Sequence, residues 1–395
     1  MTRMNQKAPQ APGTWRSQEE EKRMTYLKSR LGAAAIGGTL AATGGLLHAQ
    51  ETYQLDIQTA VPNSSLYFKL TEDFASRVET MSGGRIEVDV LPDGAEVAAF
   101  EILDAVDQGV VTAGYAWPHY WSGKHSAFVL FSNVPASTGM DQDSLMSWYY
   151  AAEGQDLYHE LVQDVMGLRV KPFLMQPMGP DPLGWFARPF EDLAEFQSIK
   201  YRAPPGIAGQ TYNAMGVPAV AMPGGEIVPA AQRGTIDAAE WIGPADDRNL
   251  GLSDIWDYYY LQGLHQQTDV GELIVNLDWW EELPDDLKAI IETAVLANAT
   301  MTNATNLYEN ARAVQEYQEG GINVVDTPEE YYSAFIEAQN GVVTEYLESD
   351  EFFARVYQSQ SDFADLVYPY HSRVVTLHRN VVEGAHAARG EGAAD

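Results

Sequence analysis

The stretch GTIDAAEWIGPAD, residues 234–246, sets Glu240 beside Trp241 at the end of a small, apolar run. A carboxylate among apolar neighbours is costly unless a cation or hydrogen-bond donors meet it, so this run needs a partner from elsewhere in the chain. Arg202 in IKYRAPPG offers one use of charge: a guanidinium holds a carboxylate by two parallel bonds. Its other use is a salt bridge that braces two lobes through one of the chain's many acids. The aromatic run YAWPHYWSGKHSAFVLF, residues 115–131, follows a strand and contains Pro118. Rings at strand spacing are chiefly core. Those past the strand's end, Trp117 among them, line a cleft, and Tyr115 and Tyr120 bring hydroxyls that can bond an oxygen.

Catalytic signatures are absent. The chain has no Gly-x-Ser-x-Gly, no phosphate loop, no dinucleotide fingerprint and no His-Glu-x-x-His pair. His119, His125 and His265 lie far apart and read as packed or surface residues, and pairs such as Glu101/Asp104 and Glu281/Glu282 read as solvated faces. With no Cys, disulfides, thiolate–metal sites and Cys nucleophiles are excluded.

The elements that must position these residues alternate strand and helix. YQLDIQTAV is a strand, NSSLYFKLTEDFASRVETMSGG a helix closed by Gly-Gly, RIEVDVLP a strand, AFEILDAVDQG a helix, and VVTAGYAW the start of another strand. This order predicts a mostly parallel sheet flanked by helices. A second α/β unit follows, with short strands at LRVKPFLM, SIKYRAP, VPAVAMP and TIDAAEW. The chain then returns through YYYLQGLHQ to a buried strand, GELIVN. From LPDDLKAI onward it turns helical for about 35 residues, and the end is helical too. The expected organisation is lobe I over 50–172 with a return segment at about 268–300, and lobe II over 173–267. A helical region over 301–385 packs on both lobes, and a frayed tail occupies 386–395. Two lobes of this kind leave a cleft at their boundary, a preferred place for small ligands.

Residues 1–49 read as an N-terminal extension and a secretory signal. Basic residues at Lys22, Arg23, Lys28 and Arg30 precede the apolar LGAAAIGGTLAATGGLL, and Ala49 stands before a cut. The expected location is the periplasm. The whole chain carries 24 basic and 56 acidic residues, a net −32; without the leader 17 basic face 53 acidic, a net −36. Such a surface repels nucleic acid and anionic lipid.

SGGRIEVDVLP, FEILDAVDQGVV, HYWSGK, LGWFARP, KYRAPPGIAGQ, MPGGEIVPAAQRGTIDAAEWIGP and YYYLQGLH together resemble the solute receptors of TRAP transporters. They are most similar to the branch that binds 2-oxo and 2-hydroxy monocarboxylates, pyruvate- or lactate-like, with a metal ion. The likeness runs from about Tyr53 to the C-terminal helices. It implies a two-lobed α/β binding-protein fold with mixed sheets, a hinge cleft and a long helix spanning the lobes. It also implies delivery to membrane permease subunits, and a homodimer through the C-terminal helix as in some members. By resemblance Arg202 holds the substrate carboxylate, Glu240 is a metal ligand, and Trp241 gives its backbone carbonyl. Two positions depart from the family pattern. Asp181, in GPDPLGWF, stands where a Gln is usual, and Gln266 where a Glu is usual. The usual Gln, Glu, Glu set and the set here carry the same −2, so the implied ligands are Asp181, Glu240, Gln266 and Trp241, with Glu272 of GELIVN a further candidate.

All-oxygen ligation suits Ca²⁺ or Na⁺ and neither zinc nor copper. Two protein carboxylates and a substrate carboxylate against Arg202 leave a charge that a divalent ion cancels, which leans to Ca²⁺ and leaves Na⁺ open. A bridging cation also explains how so acidic a chain could hold an anion. The leading expectation is a non-catalytic receptor for a small organic acid. The readings kept beside it are a receptor for another organic or aromatic acid, and a secreted hydrolase using Glu240 with a second acid.

Overall fold

The structure, a computed structural model, describes residues 51–389. The secretory signal expected at 1–49 and the end of the expected tail, 390–395, lie outside the described residues. Two sheets organise the chain. The first holds β1 (Tyr53–Thr59), β2 (Ile86–Leu91), β3 (Ala113–Ala116), β4 (Val170–Pro177) and β10 (Val270–Asn276), in the order β2-β1-β3-β10-β4. The second holds β5 (Gly184–Phe186), β6 (Tyr201–Arg202), β7 (Ala219–Val220), β8 (Ala238–Ala239), β9 (Tyr258–Tyr260) and β11 (Asn323–Val325), in the order β11-β9-β5-β8-β6-β7.

The first sheet is not mostly parallel, which corrects the reading from strand–helix alternation. β1 pairs in parallel with β2 and β3, but β10 enters between β3 and β4 and runs antiparallel to both. The cause is connectivity. β10 arrives from the second sheet, so no right-handed βαβ crossover within the first sheet fixes its direction. All seven of its residues are buried, as a central strand requires.

Helix Leu66–Ser82 opens with Ser65, whose side chain accepts from the Tyr67 N–H, and closes at Gly83 in the left-handed region. The helix Asp285–Glu319, 35 residues long, touches both halves. Near its middle the Asn298 amide donates to the Leu70 carbonyl (2.7 Å) and accepts from Gln176 (3.1 Å). About two turns further on, Asn306 donates to the Pro177 carbonyl (3.1 Å) and accepts from the Tyr67 hydroxyl (3.0 Å). Near its end Asn310 accepts from the Ala245 N–H (3.0 Å), and the Tyr317 hydroxyl donates to the Pro244 carbonyl (2.6 Å). The Asn content of this helix therefore serves its interface: buried amides satisfy main-chain groups at the ends of neighbouring elements.

The last helix, Glu351–Ala388, buries Phe353, Val356, Gln360 and Ala364 and then leaves the body. It runs through Ala388, so the first residues of the tail expected to fray are helical. Beyond Ala364 a stripe of Leu366, Tyr370, Val374, Leu377 and Val381 follows one helical face, and Leu366, Tyr370 and Val381 are each at least 70% exposed.

Glu272 does not join the other candidate ligands. From β10 it turns to Trp121, whose indole N–H donates to Oε1 (2.7 Å), and to Tyr158, whose hydroxyl donates to Oε2 (2.6 Å). Burial pushes its carboxyl up to about 7, against the two hydrogen bonds that favour the anion. The folded state thus keeps a proton that the unfolded chain loses near the ordinary Glu value. Stability contributed here falls as pH rises from about 4.5 to about 7 and levels off above, a loss of about 3 kcal/mol. Glu272→Gln keeps an acceptor for Trp121 and cannot ionise. The difference in unfolding free energy between this variant and the wild type, followed by denaturant titration, should grow across that window and stay flat above pH 8. A difference independent of pH from 4 to 8 would refute the assignment.

Candidate functional site

β6 and β8 are parallel neighbours, with Arg202 paired to Ala239. Their carboxyl ends therefore place Arg202 and Glu240 side by side, at the position where α/β sheets present ligand-binding residues. Arg202 is 1% exposed. Its Nε and Nη2 donate to the Met222 carbonyl (3.1 and 2.9 Å), and Nη1 donates to the Glu240 carbonyl (3.1 Å) and to Glu240 Oε1. Its guanidinium lies over the Trp241 ring at 5.5 Å. The acid that meets Arg202 is thus in the same sheet, so the pair is not a brace between lobes.

Trp241 is fixed on two sides. Its indole N–H donates to Asp246 Oδ2 (2.5 Å), while Asp246 Oδ1 accepts from Ser65 Oγ (2.8 Å) and the Leu66 N–H (2.6 Å). Asp246 thereby ties the second-sheet half to the start of helix Leu66–Ser82. On the other side the ring lies against Gly224, where a Cβ would come within 2.1 Å of an indole carbon; only glycine allows that approach.

Trp117, Tyr120, Arg202, Glu240, Trp241 and Gln266 line one narrow cavity, nearly closed, with a free volume of about 10 Å³. Asp181 is buried and does not itself line this cavity; its N–H donates to the Gln266 carbonyl (3.0 Å), joining the two loops that depart from the family pattern. Tyr115 is fully buried on β3 and does not reach the cavity wall. A larger, open groove bounded by Ser126, Glu160, Asp350 and Arg355 lies at the start of the last helix. There Arg355 pairs with Glu160, and Ser126 donates to Asp350.

Two titratable residues of the cavity wall have no site role in the sequence reading. Asp269 accepts from Ser132 Oγ (2.9 Å) at the start of β10; burial raises its carboxyl to about 7. The available clue was an acid opening an otherwise apolar strand, in TDVGELIVN. His119, set aside as a packed residue, also faces the cavity. Burial first, then the positive Arg202, holds its imidazole down at about 3, so it is neutral at physiological pH.

The decisive feature is a set of buried oxygens with no hydrogen-bond partner: both carboxylate oxygens of Asp181, Oε2 of Glu240 and Oε1 of Gln266. Burial raises the Asp181 carboxyl well above the usual range, and the nearby Asp269, Glu240 and Asp247 raise it further. Oxygens of this kind, from two carboxylates and an amide, fit a hard cation such as Ca²⁺ or Na⁺. Among the described residues no three His, Cys, Asp or Glu side chains gather as a metal site, and a set built on two carboxylates, an amide and a carbonyl does not require three.

Residues 57–350 match the family of bacterial extracellular solute-binding proteins, family 7. Over 352 residues the chain is 30% identical to the monocarboxylate 2-oxoacid-binding periplasmic protein of Nostoc sp., covering 86% of this chain and 94% of the relative. A TRAP transporter solute-binding protein from Bordetella bronchiseptica matches with a TM-score of 0.80 at 26% identity, over 86% of this chain and 99% of that one. That structure is a mixed-occupancy dimer with copurified calcium and picolinate in its bound site. A TRAP periplasmic solute-binding protein from Pseudoalteromonas atlantica, with bound sodium and pyruvate, shares the fold at a TM-score of 0.77 and 24% identity, over 84% of this chain and 99% of that one. The chain belongs to the bacterial extracellular solute-binding proteins of family 7, which are receptors of TRAP transporters and not enzymes.

Proposed function

We propose that this receptor captures a small 2-oxo or 2-hydroxy monocarboxylate, pyruvate- or lactate-like, in the periplasm and delivers it to TRAP permease subunits after removal of residues 1–49. Arg202 takes the ligand carboxylate, and Asp181, Glu240, Gln266 and the Trp241 carbonyl hold a Ca²⁺ or Na⁺ ion beside it. The observation that carries this reading is Asp181, a buried carboxylate with neither oxygen partnered. A hard cation bound there supplies the charge that offsets the two carboxylates and accepts the ligand's oxygens. The chain's own residues do the rest. Met222 and Trp241 hold the guanidinium in place, and an incoming carboxylate competes with Glu240 for Nη1. Trp117 and Tyr120 close the cavity against water and limit its size. The family membership removes the hydrolase reading. The aromatic-acid reading stays in view because the cavity is walled by rings and the Bordetella protein holds picolinate.

The apolar stripe on the last helix supports a homodimer in which a second copy covers Leu366, Tyr370, Leu377 and Val381. Light scattering should give twice the chain mass, and Leu366→Asp with Leu377→Asp should give one chain with ligand binding retained. A monomeric wild type would refute the dimer.

In a thermal-shift screen of lactate, pyruvate and picolinate, the monocarboxylates should stabilise the protein only with Ca²⁺ or Na⁺ present, by about 2.7 kcal/mol at a hundredfold excess over Kd. Unchanged affinity after exhaustive chelation and sodium removal would sink the cation reading. Asp181→Asn and Glu240→Gln should each weaken cation binding measured by calorimetry. Arg202→Ala should cost about 2–5 kcal/mol of ligand affinity; wild-type affinity in that variant would return Arg202 to a structural role.

A further inference from the structure

Glu240 has a second neighbour that sequence reasoning set aside. His265 is 1% exposed, and its Nε2 lies 3.9 Å from Glu240 Oε2. Neither atom has a hydrogen-bond partner, and 3.9 Å is one small rotation short of a bond. The other ring nitrogen is engaged: Nδ1 lies 2.7 Å from the Tyr212 hydroxyl, which lies 2.8 Å from the Tyr331 hydroxyl. Tyr212 sits on helix Ile207–Ala214 and Tyr331 on helix Glu329–Ser349, so the line runs from the cavity wall into the C-terminal helical region.

The direction of this line follows from the carboxylate. An imidazole lone pair facing a carboxylate is repelled, whereas an N–H facing it is attracted, so Nε2 carries the proton. Nδ1 is then an acceptor, Tyr212 donates to it, and Tyr331 donates to Tyr212. Burial raises both phenols far above their ordinary value and keeps them as hydroxyl donors.

We propose that His265 is a positioning residue that fixes Glu240 by an Nε2–H directed at its free oxygen, with its tautomer set by the Tyr331–Tyr212 relay. This inference rests on the proposed role of Glu240 as a cation ligand. Partners behind a ligating side chain set its orientation, and their loss typically lowers metal affinity about 10–100-fold.

Two measurements test it. The first is the imidazole nitrogen shifts of the ¹⁵N-His-labelled protein without added metal, with His265 assigned by comparison with His265→Gln. They should show Nε2 protonated and Nδ1 bare, and the reverse would overturn the inference whether or not a cation binds. The second is calorimetry with Ca²⁺ alone. His265→Gln, which retains an amide donor, should stay within about threefold of the wild type, and His265→Leu should lose at least tenfold. Equal affinity of Leu variant and wild type would overturn the inference. If the Leu variant fails to fold, the nitrogen shifts and Tyr331→Phe decide: that variant removes one hydroxyl remote from the cavity and should convert part of His265 to the other tautomer, whereas unchanged shifts would refute the relay. A wild type that binds neither Ca²⁺ nor Na⁺ overturns the proposed function instead, and leaves the tautomer to judge His265.

Discussion

The structure turns on an imbalance of buried charge. Among the described residues, six buried side chains are Asp or Glu and one is Arg. Desolvation alone makes each of those carboxylates costly, and the chain meets the cost locally in most cases. Asp246 takes donors from Trp241, Ser65 and Leu66, Asp247 from the Ile242 and Gly243 N–H groups, and Glu272 from Trp121 and Tyr158. Glu240 takes Arg202. Asp181 takes nothing. An acid left in that state is where a positively charged partner does most for the fold.

The scaffold explains why the imbalance is held in one place. Parallel β6 and β8 end together: Arg202, the last residue of β6, pairs with Ala239, the last of β8, and Glu240 follows directly beside it. The loops that carry Asp181 and Gln266 are joined by a main-chain hydrogen bond. The 35-residue helix ties the sheets through Asn298, Asn306 and Asn310. Asp246 performs a related task at shorter range, because one carboxylate holds both the indole beside Arg202 and the first turn of a helix in the other half. Arrangement of the cavity and contact between the two sheet-bearing parts therefore share residues.

Much of this was legible in the chain. The order of strands and helices, the length of the long helix and the break at Pro-Pro-Gly follow from hydrophobic periodicity and from Gly and Pro placement. Arg202, Glu240 and Trp241 stood out because charge beside small apolar residues needs a reason. Less legible were features set by partners distant in sequence. Glu272 looked like a neighbour of the site because it is only six residues from Gln266. Yet successive residues of a strand point to opposite faces, and Glu272 turns to Trp121 and Tyr158 instead. Tyr115 is subject to the same constraint: on β3 it is committed to the core.

What the sequence determined by itself is the chemistry on offer: an acidic chain without Cys, one arginine in a strand-to-loop corner, and a carboxylate in an apolar run. These are local properties of residue type and neighbour. Tertiary structure alone decided which groups would meet. It set Glu240 against Arg202 within one sheet and brought Asp269 and His119 into the cavity wall. It also left Asp181 without a partner and pointed His265 at Glu240 along a line of two tyrosines. The reason is reach. Pairing inside a strand or helix is fixed by its period, but pairing across the cavity depends on how β10 inserts and how the long helix docks, and no local pattern encodes either.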